Sequence, residues 1–144
     1  MTADEVHSRI NTTHTYQREP PGRDVWQTPQ EFDASGVGDC EDFVIAYWHA
    51  LQSEPGRTRL AVCRRSDNEM HMVCLHWDAD GFGPWVLDVA ADAVCELRDR
   101  DDLTMIFEFD QHGLYCGDSM RPASQMARWA DVLARITIQD LDSG

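Results

Sequence analysis

Apolar and polar positions follow two different periods along this chain. From Cys40 to Leu51 the apolar residues recur at helical spacing, with Cys40, Phe43, Ala46, Tyr47, Ala50 and Leu51 on one face. Val44, Ile45 and Trp48 make the other faces apolar as well, which predicts a buried central helix. Further on the period shortens. Leu60 to Arg64, Met70 to Trp77, Trp85 to Val89 and Met105 to Phe109 read as strands, with turn signals at Ser66-Asp67-Asn68 and Asp78-Ala79-Asp80-Gly81. Val6 and Ile10, spaced i, i+4, predict a short opening helix. Asn11 to Asp24 is polar and contains Pro20-Pro21-Gly22, so it reads as a loop. Thr28-Pro29 can cap and open a short helical turn that Gly36-Val37-Gly38 ends. Met126, Trp129, Leu133 and Ile136 line one side of a closing helix over about 123–136.

Helices first, then an antiparallel meander, then a closing helix predict an α+β fold in which a buried helix packs on a sheet. A length of 144 residues fits one domain, residues 1–144, with its core over about 6–115. The chain is 42% apolar and 26% charged, ordinary for a soluble globular protein. Nothing in it approaches the roughly 18 consecutive apolar residues of a membrane span. A net charge of −14 opposes binding to nucleic-acid phosphates or anionic lipid, so neither is expected as a partner. All 12 basic residues are Arg. Met1-Thr2-Ala3-Asp4-Glu5 lacks the basic and apolar regions of an export signal, so the chain as it stands is expected in the cytoplasm. The sequence carries no signal of oligomeric state.

Five cysteines, Cys40, Cys63, Cys74, Cys95 and Cys116, show no CxxC or CxxH zinc spacing. Cys63, Cys74 and Cys95 sit in apolar runs and read as buried thiols. Cys40 opens the central helix, where free N–H groups and the helix dipole favour a thiolate and could hold an oxyanion. A general base must reach it. His49, nine residues along the same helix, would sit roughly 13 Å away. His71 opens the second strand and shares a face with Val73, Leu75 and Trp77, which is expected to turn toward the core and the helix. Asp88 follows Trp85-Val86-Leu87. A carboxylate inside an apolar strand is costly unless paired, and the imidazole N–H on the neighbouring strand would pair it. Cys40 as nucleophile, His71 as base and Asp88 as orienter follow the chain order of papain-like and transglutaminase-like sites.

The motifs make the resemblance specific. Trp26-x-Thr28-Pro29-x-Glu31-Phe32 and Gly36-x-Gly38-Asp39-Cys40-Glu41-Asp42-Phe43-x-Ile45-Ala46 resemble the bacterial transglutaminase-like cysteine proteinases of the LapG type. His71-Met72-Val73 and Val86-Leu87-Asp88 resemble that family's histidine and aspartate motifs, and Asp101-Leu103 with Phe107 to Tyr115 its closing segment. The resemblance covers roughly residues 6–115. It implies a papain/transglutaminase-like core and the triad Cys40, His71 and Asp88. It also implies a periplasmic endopeptidase that trims surface adhesins with the support of calcium. The chain departs from the family in a shorter Cys-to-His spacing and in its C-terminal helix.

Asp39, Glu41 and Asp42 surround the nucleophile. They suit the helix start as a cap and first-turn acids, but they raise a thiol's pKa. A bound cation would reverse that field, and clustered carboxylates suit Ca²⁺. The resemblance implies Asp39 and Glu41 as calcium ligands, with Asp42 a third candidate. Trp26 or Gln27 could donate a second oxyanion hydrogen bond. The chemistry expected is hydrolysis of a protein or peptide amide through an acyl-thioester on Cys40. Transglutamination or glutamine deamidation would use the same triad. A non-catalytic calcium-responsive binding module is the reading outside enzymes.

Overall fold

The computed structural model describes residues 1–18 and 25–143. The turn expected at Pro20-Pro21-Gly22 lies outside them. The short opening helix expected around Val6 and Ile10 is α1, Ala3–Thr13, whose start is fixed by a capping box between Thr2 and Glu5. Strand β1, Thr15–Tyr16, replaces part of the expected loop and pairs in parallel with β2, Val37–Gly38. Helix α2, Pro29–Ser35, is capped by Thr28 with Pro29 in its first turn. Gly36 ends it in the left-handed region, at φ 69°. Helix α3 is Cys40–Ala50, as the apolar periodicity predicts.

The meander follows as β3 (Arg57–Arg65), β4 (Met70–Trp77), β5 (Trp85–Leu87), β6 (Cys95–Glu96), β7 (Leu103–Asp110), β8 (Gly113–Cys116) and β9 (Ser119–Arg121). These make a seven-stranded sheet in the order β6-β5-β4-β3-β7-β8-β9, antiparallel throughout. The sequence pattern misses β6, β8 and β9. They are short strands toward the sheet's edges, with too few residues to show a period. β5 ends at Leu87, not Val89, so Asp88 lies just beyond the strand.

Both faces of the sheet are covered. On one side Leu60, Met72, Cys74, Leu87 and Phe109 pack in a single core with Phe43, Val44 and Tyr47 of α3. On the other, Ala61, Cys63, Val73, Leu75 and Val86 form a second cluster, with Leu97 and the β7 residues Leu103 and Met105 packed against it. This corrects one expectation. Val73 and Leu75, which share His71's parity, face the second cluster, and it is Met72 and Cys74 that face α3. With both faces buried, the two parities are equally apolar, and apolarity cannot tell which one turns to the helix.

Helix α4 runs over Ala127–Ser143, later than the expected 123–136, because Ala123–Gln125 forms a separate 3-10 turn. It is docked on the core. Trp129 is fully buried, meets Trp48 and Phe109 edge-on at 5.0 and 5.1 Å, and donates its indole N–H to the Asp110 carbonyl at 2.8 Å. Arg135 donates to the Trp26 carbonyl at 2.7 Å and pairs with Glu31. Replacing Trp129 with Ala should therefore cost about 3–5 kcal/mol, as for other buried large-to-small changes. Urea denaturation checks this. A loss below about 1 kcal/mol would mean that α4 does not belong to the folding unit.

Candidate active site

Cys40 is the first residue of α3, placed by Asp39 as N-cap. Three segments are tied together to put it there, and Asp42 is the knot. Asp42 is buried, and its carboxylate accepts from the Gln27 backbone N–H at 2.8 Å, the Gln27 Nε2 at 3.1 Å and the Asp39 N–H at 3.1 Å. Gly38 has to be glycine for this approach. A Cβ there would lie 2.6 Å from Asp42 Oδ2 and 2.8 Å from the Phe32 ring. Burial pushes the Asp42 carboxyl up to about 6, against the hydrogen bonds from Gln27 and Asp39.

The thiol of Cys40 is half-buried and donates to Glu41 Oε2 at 3.6 Å. Its pKa is driven well above the ordinary thiol value, first by burial and then by the charges of Glu41 and Asp39. A hydrogen bond from the Met72 backbone acts in the opposite direction. At this helix start, burial and the two adjacent acids favour the neutral thiol over the thiolate that the dipole would stabilise.

His71 and Asp88 are brought together. His71 Nε2 lies 2.7 Å from Asp88 Oδ1, with both side chains buried. The same oxygen accepts from the Ala90 N–H at 3.0 Å, and Oδ2 accepts from Arg100 Nη2 at 2.9 Å. Burial alone would raise the Asp88 carboxyl. The His71, Ala90 and Arg100 hydrogen bonds outweigh it and hold the carboxyl at about 2. An ionised Asp88 can only accept, so His71 Nε2 is the donor of this bond, and in the neutral ring the free lone pair is on Nδ1. Cys40 is not hydrogen-bonded to His71. Its sulfur rests against the backbone of the next residue, Met72, and against Glu41.

The structure separates the remaining candidates. Gln27 has its amide committed, with Nε2 donating to Val37 O at 2.9 Å and to Asp42. It braces the nucleophile's helix and has no free N–H for an oxyanion. Trp26 is buried, stacks on Phe109 at 6.2 Å, and its Nε1 has no hydrogen-bond partner. Asp42 spends both carboxylate oxygens on internal donors. Among the described residues no three His, Cys, Asp or Glu side chains gather to hold a metal ion, so the expected three-acid calcium set does not assemble. Asp39 and Glu41 supply hard oxygen ligands, but two carboxylates fall short of the roughly six to eight oxygens that Ca²⁺ takes.

Three neighbours of the site escape the sequence pattern. Arg100 stands in Asp99-Arg100-Asp101-Asp102, which reads as a solvated charge run. His7 of α1 is buried and donates Nε2–H to the Asp88 carbonyl at 2.8 Å. Its adjacency to Val6 on an apolar stripe is the only trace of that in the sequence. Tyr16 on β1 stands close enough to Cys40, Asp39 and Glu41 for their charges to raise its pKa, after desolvation as the larger cause.

The backbone as a whole superposes on a known protein. Legionella pneumophila LapG, in its EGTA-treated form, aligns with a TM-score of 0.82 and 26% identity over 92% of this chain and 76% of that one. The fold is that of LapG. Calcium-bound LapG aligns with a TM-score of 0.80 and 26% identity over 93% of this chain and 78% of its own. LapG is a transglutaminase-like cysteine protease. No family model and no curated protein sequence matches the chain. The alignment spans the mixed α+β architecture of an antiparallel seven-stranded sheet with its helices, as the resemblance implies.

The Asp42 knot carries its own test. Gln27→Ala removes a donor to a buried carboxylate and should destabilise by about 1–3 kcal/mol at pH 7.5. The lost bond serves the ionised form, so the loss should shrink at pH 5, where Asp42 is protonated in the folded state. Urea denaturation at the two pH values reads the difference; an equal loss at both would separate Gln27 from the Asp42 charge.

Proposed function

We propose that this protein is a cysteine protease of the transglutaminase-like kind, hydrolysing a peptide or amide bond of a protein substrate through Cys40, His71 and Asp88. The observation that carries the reading is the buried His71–Asp88 pair at 2.7 Å, next in sequence to the backbone that contacts the thiol of a helix-opening cysteine. The LapG fold supports it.

The steps follow from the residues. The thiol turns from Glu41 toward His71, and Nδ1 takes its proton as the sulfur attacks the scissile carbonyl carbon. The C–N bond then breaks, the amine leaves with the proton returned by His71, and a thioester remains on Cys40. Water, deprotonated by Nδ1, attacks that thioester, and the carboxylic acid and the thiol are released. Asp88 holds the imidazole tautomer and offsets the charge of the imidazolium. The backbone N–H of Cys40 and the unpartnered Trp26 Nε1 are the donors proposed for the oxyanion.

Cys40→Ala and His71→Ala should each lower cleavage of a peptide-library or denatured-protein substrate by on the order of a thousandfold or more. Mass spectrometry of the products separates chain cleavage from amide loss and from cross-linking. Cleavage that survives Cys40→Ala would reject the nucleophile.

Calcium enters on narrower ground than the sequence suggests. Asp39 and Glu41, without Asp42, are the proposed protein ligands, and a calcium-bound LapG structure supports the ion. Calorimetric titration of chelator-treated protein should show binding at or below millimolar Ca²⁺ that is weakened in Asp39→Asn and Glu41→Gln. No heat at millimolar calcium would remove the ion from the account.

A further inference from the structure

We infer that Arg100 is a positioning residue, whose guanidinium bridges Asp88 to Asp102 and thereby sets the orientation and basicity of His71. The inference rests on the reading of His71 as the base.

Asp88 divides its two oxygens between two kinds of partner. Oδ1 serves His71 and the Ala90 N–H, and Oδ2 serves Arg100 Nη2 at 2.9 Å. Rotation about the carboxylate would break both sets at once, so Arg100 locks the oxygen that faces the imidazole. Arg100 is itself locked. Its Nε and Nη2 form a two-pronged contact with Asp102 at 2.9 and 3.0 Å, and its backbone N–H closes the Leu97–Asp99 turn on the Leu97 carbonyl. Nη1 is buried without a partner, so the side-chain bonds of the fork are those to the two aspartates. Lysine has the charge but not the planar fork and could not hold both.

The charge matters as much as the geometry. The groups that face Asp88 are His7 from α1, Tyr47 from α3, Cys63 from β3, His71 itself, and Arg100 with Asp102 from the loop. Arg100 alone among these carries a permanent positive charge. A cation on the far side of Asp88 disfavours a second positive charge on the imidazole. Arg100 thus opposes the positive charge on the imidazole that Asp88 alone would favour.

The test is the titration of the His71 ring followed by NMR. In Arg100→Gln, which keeps an N–H but loses the charge, the His71 midpoint should rise by about one unit or more. In Arg100→Lys it should return toward the wild-type value. A purely structural role for the loop would lower the melting temperature of both variants and leave the midpoint in place, and an unchanged midpoint overturns the inference. Should Arg100→Gln not fold, Asp102→Asn tests the same link at a half-exposed side chain. With Asp102 neutral, Arg100's charge is no longer offset and the midpoint should fall; no change again overturns the inference. The titration needs no turnover by Cys40. A shifted His71 beside an inert Cys40 would leave Arg100 in its role and reject the protease. An active Cys40 beside an unshifted His71 would do the reverse.

Discussion

A carboxylate with no exposed surface survives in a folded protein only if its charge is matched and its lone pairs are filled. The Asp88 carboxylate meets that condition with three donors, and a fourth meets its backbone carbonyl. His71 and Ala90 meet Oδ1, Arg100 meets Oδ2, and His7 takes the backbone carbonyl. The histidine is therefore oriented as part of the solution to burying the aspartate. The same requirement draws in the loop after β6, which reaches the carboxylate through Arg100, while α1 holds the Asp88 backbone through His7. Remove the charge at position 88 and the His71, Ala90 and Arg100 contacts lose their common anionic acceptor, while the His7 bond to the backbone carbonyl stays.

Asp42 solves the same problem at the nucleophile's end with different means. Its donors are two backbone N–H groups and an amide, with no cation among them. The consequence is visible in the direction of the two shifts: Asp88 is held low and Asp42 is raised. Charged partners hold a buried carboxylate ionised, whereas neutral donors only moderate the cost of desolvation. One acid is tuned to stay charged beside the imidazole. The other fastens the segment carrying Trp26 and Gln27 to the start of α3.

Much of this was legible in the residues. The all-round apolarity of positions 40–51 located α3, and Thr28-Pro29 with Gly36 bounded α2. His71 and Asp88 could be paired on paper because β4 and β5 are consecutive strands and an acid after Trp85-Val86-Leu87 needs a partner. Other features were not legible, for physical reasons. The face on which His71 lies depends on a second apolar cluster, to which Leu97 and the β7 residues Leu103 and Met105 contribute from later in the chain. Asp42 looks like any acid in a first helical turn, and only the approach of Gln27 across 15 positions makes it a buried knot. Arg100 is hidden by its acidic neighbours, since sequence gives no sign of which acid in a run faces inward.

The protonation state of Cys40 then constrains how the proposed chemistry proceeds. A preformed thiolate–imidazolium pair needs a low thiol pKa, and here burial first and the charges of Glu41 and Asp39 second raise it; Ca²⁺ on those two acids would offset the second but not the first. Substrate binding would exclude more water and strengthen the first of these effects. Under the proposed mechanism, the proton must therefore leave the sulfur as the carbon–sulfur bond forms, with His71 acting as a true general base. That places the demand on the basicity of Nδ1, which depends in turn on what the far nitrogen of the ring is bound to. The burial of Asp88 and the high resting pKa of Cys40 are thus two sides of one arrangement. The more the site suppresses a free thiolate, the more of the work falls to the histidine that Asp88 orients.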